Sequence, residues 1–186
     1  DLYQLGITPK VDLLGVGENL HDHPSISLKF EGTDLLSNLM NAFVQNGNTV
    51  YSEQTIAKTR SKHCVEGFDL HVYPMTGITE NINGKWDCAI YSANMAPISR
   101  GNLTLNKNDL LGQPKIDQGY LNDSEDKDIK VLMEGLELSR EIAKQKELSE
   151  LIGKEILETS KIVSLDNIRN SALHYYHPVG TCKMGP

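Results

Sequence analysis

The chain has 186 residues, of which 39% are hydrophobic and 23% charged, and its formal net charge is −7. That length and composition fit one ordinary globular domain with its own core and exclude a fully disordered chain. The acidic balance, without a Lys/Arg stripe, argues against nucleic-acid binding, and no apolar run approaches the ~20 residues of a membrane-spanning helix.

In chain order, residues 1–7 read as the tail of a helix ended at Gly6, and residues 10–14 as short and extended. Residues 15–24 form a glycine-punctuated loop. Residues 25–30 alternate polar and apolar, the pattern of a half-buried strand. Leu35, Leu36, Leu39, Met40 and Phe43 recur at helical spacing over 34–46, closed by Gly47. Residues 48–66 read as loop with some helix. Strand signals then cluster at 68–73, 86–95, 101–105 and 114–120, with Asn83-Gly84 as a candidate turn. From Asn122 the period changes. Asn122, Asp123 and Ser124 are capable helix caps, and Ile129, Leu132, Leu136, Ile142 and Ala143 mark one helical face running to about residue 145. Further helices are expected at 147–158 and 164–173. Strands first and helices second predict an α+β fold, a mainly antiparallel sheet covered by helices. Residues 25–30, 68–73, 86–95 and 114–120 are expected to share that sheet.

Cys64, Cys88 and Cys182 form no CxxC pair, so a zinc ribbon or redox pair is not indicated, and an odd number leaves at least one unpaired within the chain. Two glycosylation sequons, at Asn102 and Asn122, match no more often than this composition gives by chance.

Two segments are suited to chemistry. Residues 176–186 place His177 before Pro178, followed by Gly180-Thr181, in a loop on a rigid scaffold. An imidazole is the side chain that moves protons near neutral pH. Residues 15–24, Gly-Val-Gly-Glu-Asn-Leu-His-Asp-His-Pro, open like the G-x-G-x-x-G dinucleotide fingerprint but carry Leu20 where glycine is required, and a strand rather than a helix follows. His21, Asp22, His23, His174 and His177 also raise a metal reading. No Cys or Glu falls at ligand spacing, and the His-x-His lies in a loop, so no metal is expected.

The run His177-Pro178-Val179-Gly180-Thr181-Cys182-Lys183-Met184-Gly185-Pro186 resembles the histidine segment of the glucose-methanol-choline (GMC) flavoprotein oxidoreductases, in their arthropod, glucose-dehydrogenase-like form. Gly17, Asn19, Leu20, Asp22 and His23 resemble the family's loop between flavin and substrate domains. Ser99-Arg100-Gly101, Pro114, Ile116, Tyr120 and Leu121 resemble an architectural block, in which no role is assigned to Arg100.

The resemblance implies FAD as cofactor and a small-molecule alcohol or sugar as substrate. It implies His177 as the general base that takes the hydroxyl proton while the adjacent C–H delivers hydride to the flavin. It puts Asn19, Asp22, His23, Gly180 and Thr181 beside the cofactor. It also implies that residues 1–24 are a junction with the FAD domain, 25–176 the substrate-binding domain, and 177–186 the start of the catalytic segment returning to the FAD domain. The family's dinucleotide-binding unit and its second catalytic His or Asn are not among these residues. The chain is therefore expected to be a fragment with an incomplete FAD domain, inactive in isolation. The electron acceptor is not assigned. The sequence assigns no compartment, and the resemblance leans to the extracellular side. The alternatives are a catalytically dead remnant acting as a binding or interaction module, and a histidine hydrolase. No G-x-S-x-G elbow supports the hydrolase.

Overall fold

The computed structural model describes residues 2–51, 55–77, 85–109 and 111–184. Asn83-Gly84, read as a turn, and the final Gly185-Pro186 lie outside the described residues. Strands β1 (Ser25–Gly32), β2 (Ala57–Thr59), β3 (Leu70–Thr76), β4 (Asp87–Asn94) and β7 (Ile152–Glu155) form one five-stranded sheet in the order β2-β3-β4-β1-β7. Every neighbouring pair is antiparallel. Strands β5 (Asn102–Thr104) and β6 (Lys115–Asp117) make a separate hairpin. The helices are α1 (Asp34–Gln45), α2 (Lys127–Ala143) and α5 (Leu165–Ser171), with single turns α3 (Lys146–Ser149) and α4 (Leu157–Ser160) flanking β7. The α+β architecture, an antiparallel sheet with helices on it, agrees with the sequence reading.

Three expectations are corrected. The segment at 114–120 does not join the main sheet; residues 115–117 pair with 102–104. That hairpin is held instead to the 17–20 loop, where Leu20 and Gly101 exchange two backbone hydrogen bonds of 3.0 and 2.7 Å. The helix expected over 147–158 is broken by β7, because residues 152–155 complete the free edge of β1 and Gly153 weakens any helix there. Residues 57–59, read as loop with some helix, pair with β3. On α1, whose apolar stripe suggested burial, only Leu36 is buried among the large side chains, while Leu35, Leu39 and Phe43 remain 47%, 53% and 41% exposed. Thr33 caps α1 by accepting the Leu36 N–H. The start of α2 is capped from a distance by Asp123, whose carboxylate accepts the N–H groups of Lys127 and Asp128.

The sheet has two chemically distinct faces, a consequence of the period of two along each strand. Ile26, Leu28 and Phe30 of β1, Leu70 and Val72 of β3, and Cys88, Ile90 and Ser92 of β4 point to one side, where Ile129, Leu132 and Leu136 of α2 cover them. Gly135 lets α2 approach closely, since a Cβ there would stand 2.7 Å from the Ser92 Cβ, and Ser92 and Ser139 share a buried hydrogen bond. Gly135→Val should destabilise the fold by about 1–3 kcal/mol through overpacking, measured as a lower urea midpoint; an unchanged midpoint would mean that α2 tolerates displacement from the sheet. Burial pushes the Cys88 thiol up to about 11, so it is an inert core group, and all three cysteines are free.

Candidate active site

The second face of the sheet carries His71, Tyr73 and Met75 on β3, Ser25 on β1 and Tyr91 on β4. With Leu173 and residues 174–177 of the chain's last segment they line a cleft of about 520 Å³. The Tyr73 and Tyr91 rings stack with centroids 5.3 Å apart, and Tyr175 meets Tyr73 edge-on at 5.8 Å.

The two loops singled out in the sequence meet beside this cleft, which His177 of the second loop lines. His21 and Val179 exchange backbone hydrogen bonds of 3.0 and 2.9 Å, and the Gly17 N–H donates to the Thr181 carbonyl at 2.9 Å. Asn19 donates from Nδ2 to the Gly180 carbonyl and accepts the Arg100 Nε–H at Oδ1. Gly180 has φ 105, and a Cβ there would stand 2.2 Å from the Asn19 carbonyl oxygen and 2.8 Å from the His21 ring. The glycine is thus required for the contact between the loops. Asp22 is 4% exposed. Its Oδ1 accepts the N–H groups of His23 (2.7 Å) and His177 (3.0 Å), and its Oδ2 accepts the Tyr175 N–H (3.1 Å) and the Tyr120 hydroxyl (2.7 Å).

The outcome is a ring cluster at the cleft wall. His23 and His177 stand edge-on with centroids 5.7 Å apart, and Tyr175 lies 5.9 Å from His23 and 5.0 Å from His177. His177 is exposed to the cleft. His71 stacks on Phe68 at 5.4 Å and meets Tyr175 at 6.3 Å. Among the described residues, both ring nitrogens of His71 and Nδ1 of His23 are buried with no hydrogen-bond partner. Sequence reading missed His71, Tyr73 and Tyr91. The alternation Leu70-His71-Val72-Tyr73-Pro74-Met75 was the available signal, since its second, fourth and sixth members share the cleft face.

The titrations follow from these surroundings. Burial raises the Asp22 carboxyl, but the Tyr120 hydroxyl and the three backbone N–H groups outweigh it and hold the group below 3.8. Burial lowers His23 below 6.5, with His177 and His21 adding to it against the pull of Asp22. Burial, Lys58 and the other two histidines of the cluster lower His71. A group whose folded pKa is depressed binds its proton first in the unfolded chain, so the stability it contributes is lost as pH falls. Stability should therefore decline below pH 6.5 as His23 and His71 are forced to protonate, and again below 3.8 as Asp22 does. Urea titrations at stepped pH should show His71→Phe flattening the first decline and Asp22→Asn the second. Curves that superimpose on wild type would remove these groups as the cause.

Residues 97–186 match the model of the GMC oxidoreductase family. Over these residues the chain is similar to the GMC oxidoreductases. The chain is 30% identical to choline oxidase of Arthrobacter globiformis over 198 residues, which take in 99% of this chain and 34% of that protein. It is 27% identical over 208 residues to an alcohol dehydrogenase [acceptor] of Pseudomonas putida, covering 100% of this chain and 37% of that protein. It thus spans about a third of the length of the curated relatives it matches. A formate oxidase of Aspergillus oryzae RIB40, in a solved structure concerned with its FAD modification, shares the fold at a TM-score of 0.77 with 18% identity, over 98% of this chain and 40% of that one.

Proposed function

We propose that this chain forms the substrate-facing wall of an FAD-dependent oxidoreductase that oxidises the CH–OH group of a small alcohol or sugar. The observation that carries the reading is the joining of Asp22 and His177, 155 residues apart, which brings the His23 and His177 rings together at an open cleft. FAD, when bound, supplies the two-electron acceptor for the substrate's hydride.

The residues fit the ring end of that cofactor. His177 is exposed at the cleft, and His23 Nδ1 is buried with no hydrogen-bond partner among the described residues. Asn19 and Asp22 have their side-chain oxygens engaged within the chain, so their part is to shape the cofactor-side loop together with Gly180 and Thr181. The described residues do not fit the diphosphate end. Gly15-Val16-Gly17 leads into no helix, and the space beside Gly17 is filled by the Leu103 carbonyl, 2.4 Å from where a Cβ would stand.

In this reading His177 accepts the substrate hydroxyl proton at an imidazole nitrogen. The tyrosines and Met75 of the sheet face exclude water from the carbon being oxidised.

Two experiments bear on the reading. Adding an alcohol or sugar anaerobically to the flavin-loaded full-length protein should bleach its yellow absorbance, and a panel of both that leaves the absorbance intact would sink it. The 186-residue chain alone should retain little FAD, because its described residues offer no diphosphate cradle. A yellow preparation holding one FAD per chain would contradict this.

A further inference from the structure

The backbone carrying His177 is tied by β-type bridges only at its ends, where Leu173 pairs with Ser25 and Val179 with His21. Between them it runs as an irregular segment along the cleft. Tyr176, in its middle, adopts φ 63, a left-handed conformation uncommon for a tyrosine. With that residue left-handed, the N–H groups of Tyr175 and His177 both donate to one carboxylate, that of Asp22. A strained conformation persists only where its surroundings over-determine it, and this carboxylate is the group that does so.

Asp22 is itself held from a third direction. Tyr120 follows Gly119 at φ 61 and precedes Leu121 at φ 57. A Cβ on Gly119 would stand 2.3 Å from the Arg100 carbonyl oxygen. This turn aims the Tyr120 hydroxyl at Asp22 Oδ2. Burial and the neighbouring carboxylate push the Tyr120 phenol up while Asp22 stays low, so at neutral pH the phenol donates and the carboxylate accepts. The block at 99–121, architectural by sequence, thus reaches the candidate base through two hydrogen bonds that meet on Asp22.

We propose that Tyr120 and Asp22 are a positioning pair for His177: the Tyr120 hydroxyl orients the Asp22 carboxylate, which fixes the backbone on both sides of Tyr176 and so sets the imidazole against the substrate hydroxyl. This rests on the reading of His177 as the base. A base must lie within about 3 Å of the proton it takes, and a displacement of about 1 Å costs on the order of 10²-fold in rate.

The test is rapid-reaction measurement of the limiting rate of flavin reduction in the FAD-loaded full-length protein, normalised to flavin content, with an alcohol already shown to reduce it. Tyr120→Phe removes one of the four donors and should slow reduction about 3–10-fold; Asp22→Asn keeps one acceptor oxygen and should slow it about 10–100-fold. The substrate dissociation constant should move less than about twofold in both, because the effect falls on placement of the base rather than on binding. In an Asp22→Asn background Tyr120→Phe should add less than about twofold, since the tyrosine acts through Asp22. A purely structural role would lower the unfolding midpoint and leave the limiting rate alone, and that result overturns the proposal. So does a Tyr120→Phe effect of equal size with and without the Asp22 carboxylate. His177→Ala separates the two levels. If it is slow while Asp22→Asn is fast, the positioning pair alone falls; if it reduces flavin at the wild-type rate, the assignment of the base falls and takes the pair with it.

Discussion

Replacing His177 with Ala should lower the rate at which substrate reduces the flavin about 10²–10⁴-fold, equivalent to roughly 3–5 kcal/mol of transition-state stabilisation. The side chain is exposed at the cleft and its backbone N–H is bonded to Asp22, so truncation removes the imidazole without releasing the loop. Flavin retention should therefore change little. A base works in its unprotonated form, so the wild-type reduction rate should rise with pH through one ionisation. That ionisation should be missing from the mutant profile. A mutant that reduces flavin at the wild-type rate would make His177 a structural residue, however suggestive its setting.

The largest effect on stability should come from Asp128→Ala. Asp128 is fully buried at the start of α2. Its Oδ1 accepts the Asn94 amide at 3.0 Å and the Ile98 N–H at 3.1 Å, and its Oδ2 accepts the Ser99 N–H at 2.8 Å. Alanine leaves three donors without a partner, each costing about 1–3 kcal/mol where buried, so a loss of roughly 3–5 kcal/mol is expected. Asp128→Asn retains one acceptor oxygen and should lose less. Urea unfolding monitored by circular dichroism gives both values. A loss below about 1 kcal/mol for the alanine variant would mean that water or a shifted 96–99 loop takes over the bonds. Asn94 also has a backbone hydrogen bond with His23, so the same variant should perturb the cleft wall.

Local pattern made much of the fold legible. Ile129, Leu132 and Leu136 repeat at helical spacing and are fully buried under the sheet. The alternation beginning at Ser25 extends to Gly32 as β1. Ser164 caps α5 through the Asn167 N–H. What escaped was whatever depends on a distant partner. Residues 152–155 carry no strong strand signal and are extended because β1 offers an open edge. Residues 115–117 have strand character, but only the contacts of Gly101 and Leu103 with the 17–20 loop decide which sheet they serve. For the site, the resemblance put residues of the 17–23 and 177–181 segments beside one cofactor, and the two segments are joined by backbone hydrogen bonds. The termination of four hydrogen bonds on Asp22 was not legible, because three of its partners, Tyr120, Tyr175 and His177, lie 98, 153 and 155 residues away.

The antiparallel register has a consequence for how such a protein can diversify. Along β3, Leu70 and Val72 face α2 while His71, Tyr73 and Met75 face the cleft, and across on β4 Ser92 and Ile90 alternate with Tyr91 in the same way. Inheritance of the scaffold and variation of the wall are therefore assigned to even and odd positions, respectively, of the same short strands. A combinatorial library restricted to residues 71, 73, 75 and 91 would remodel the lining without altering a side chain that α2 covers. Drift at those four positions exposes the lineage to new ligands while the helix-covered face stays under its own separate constraint.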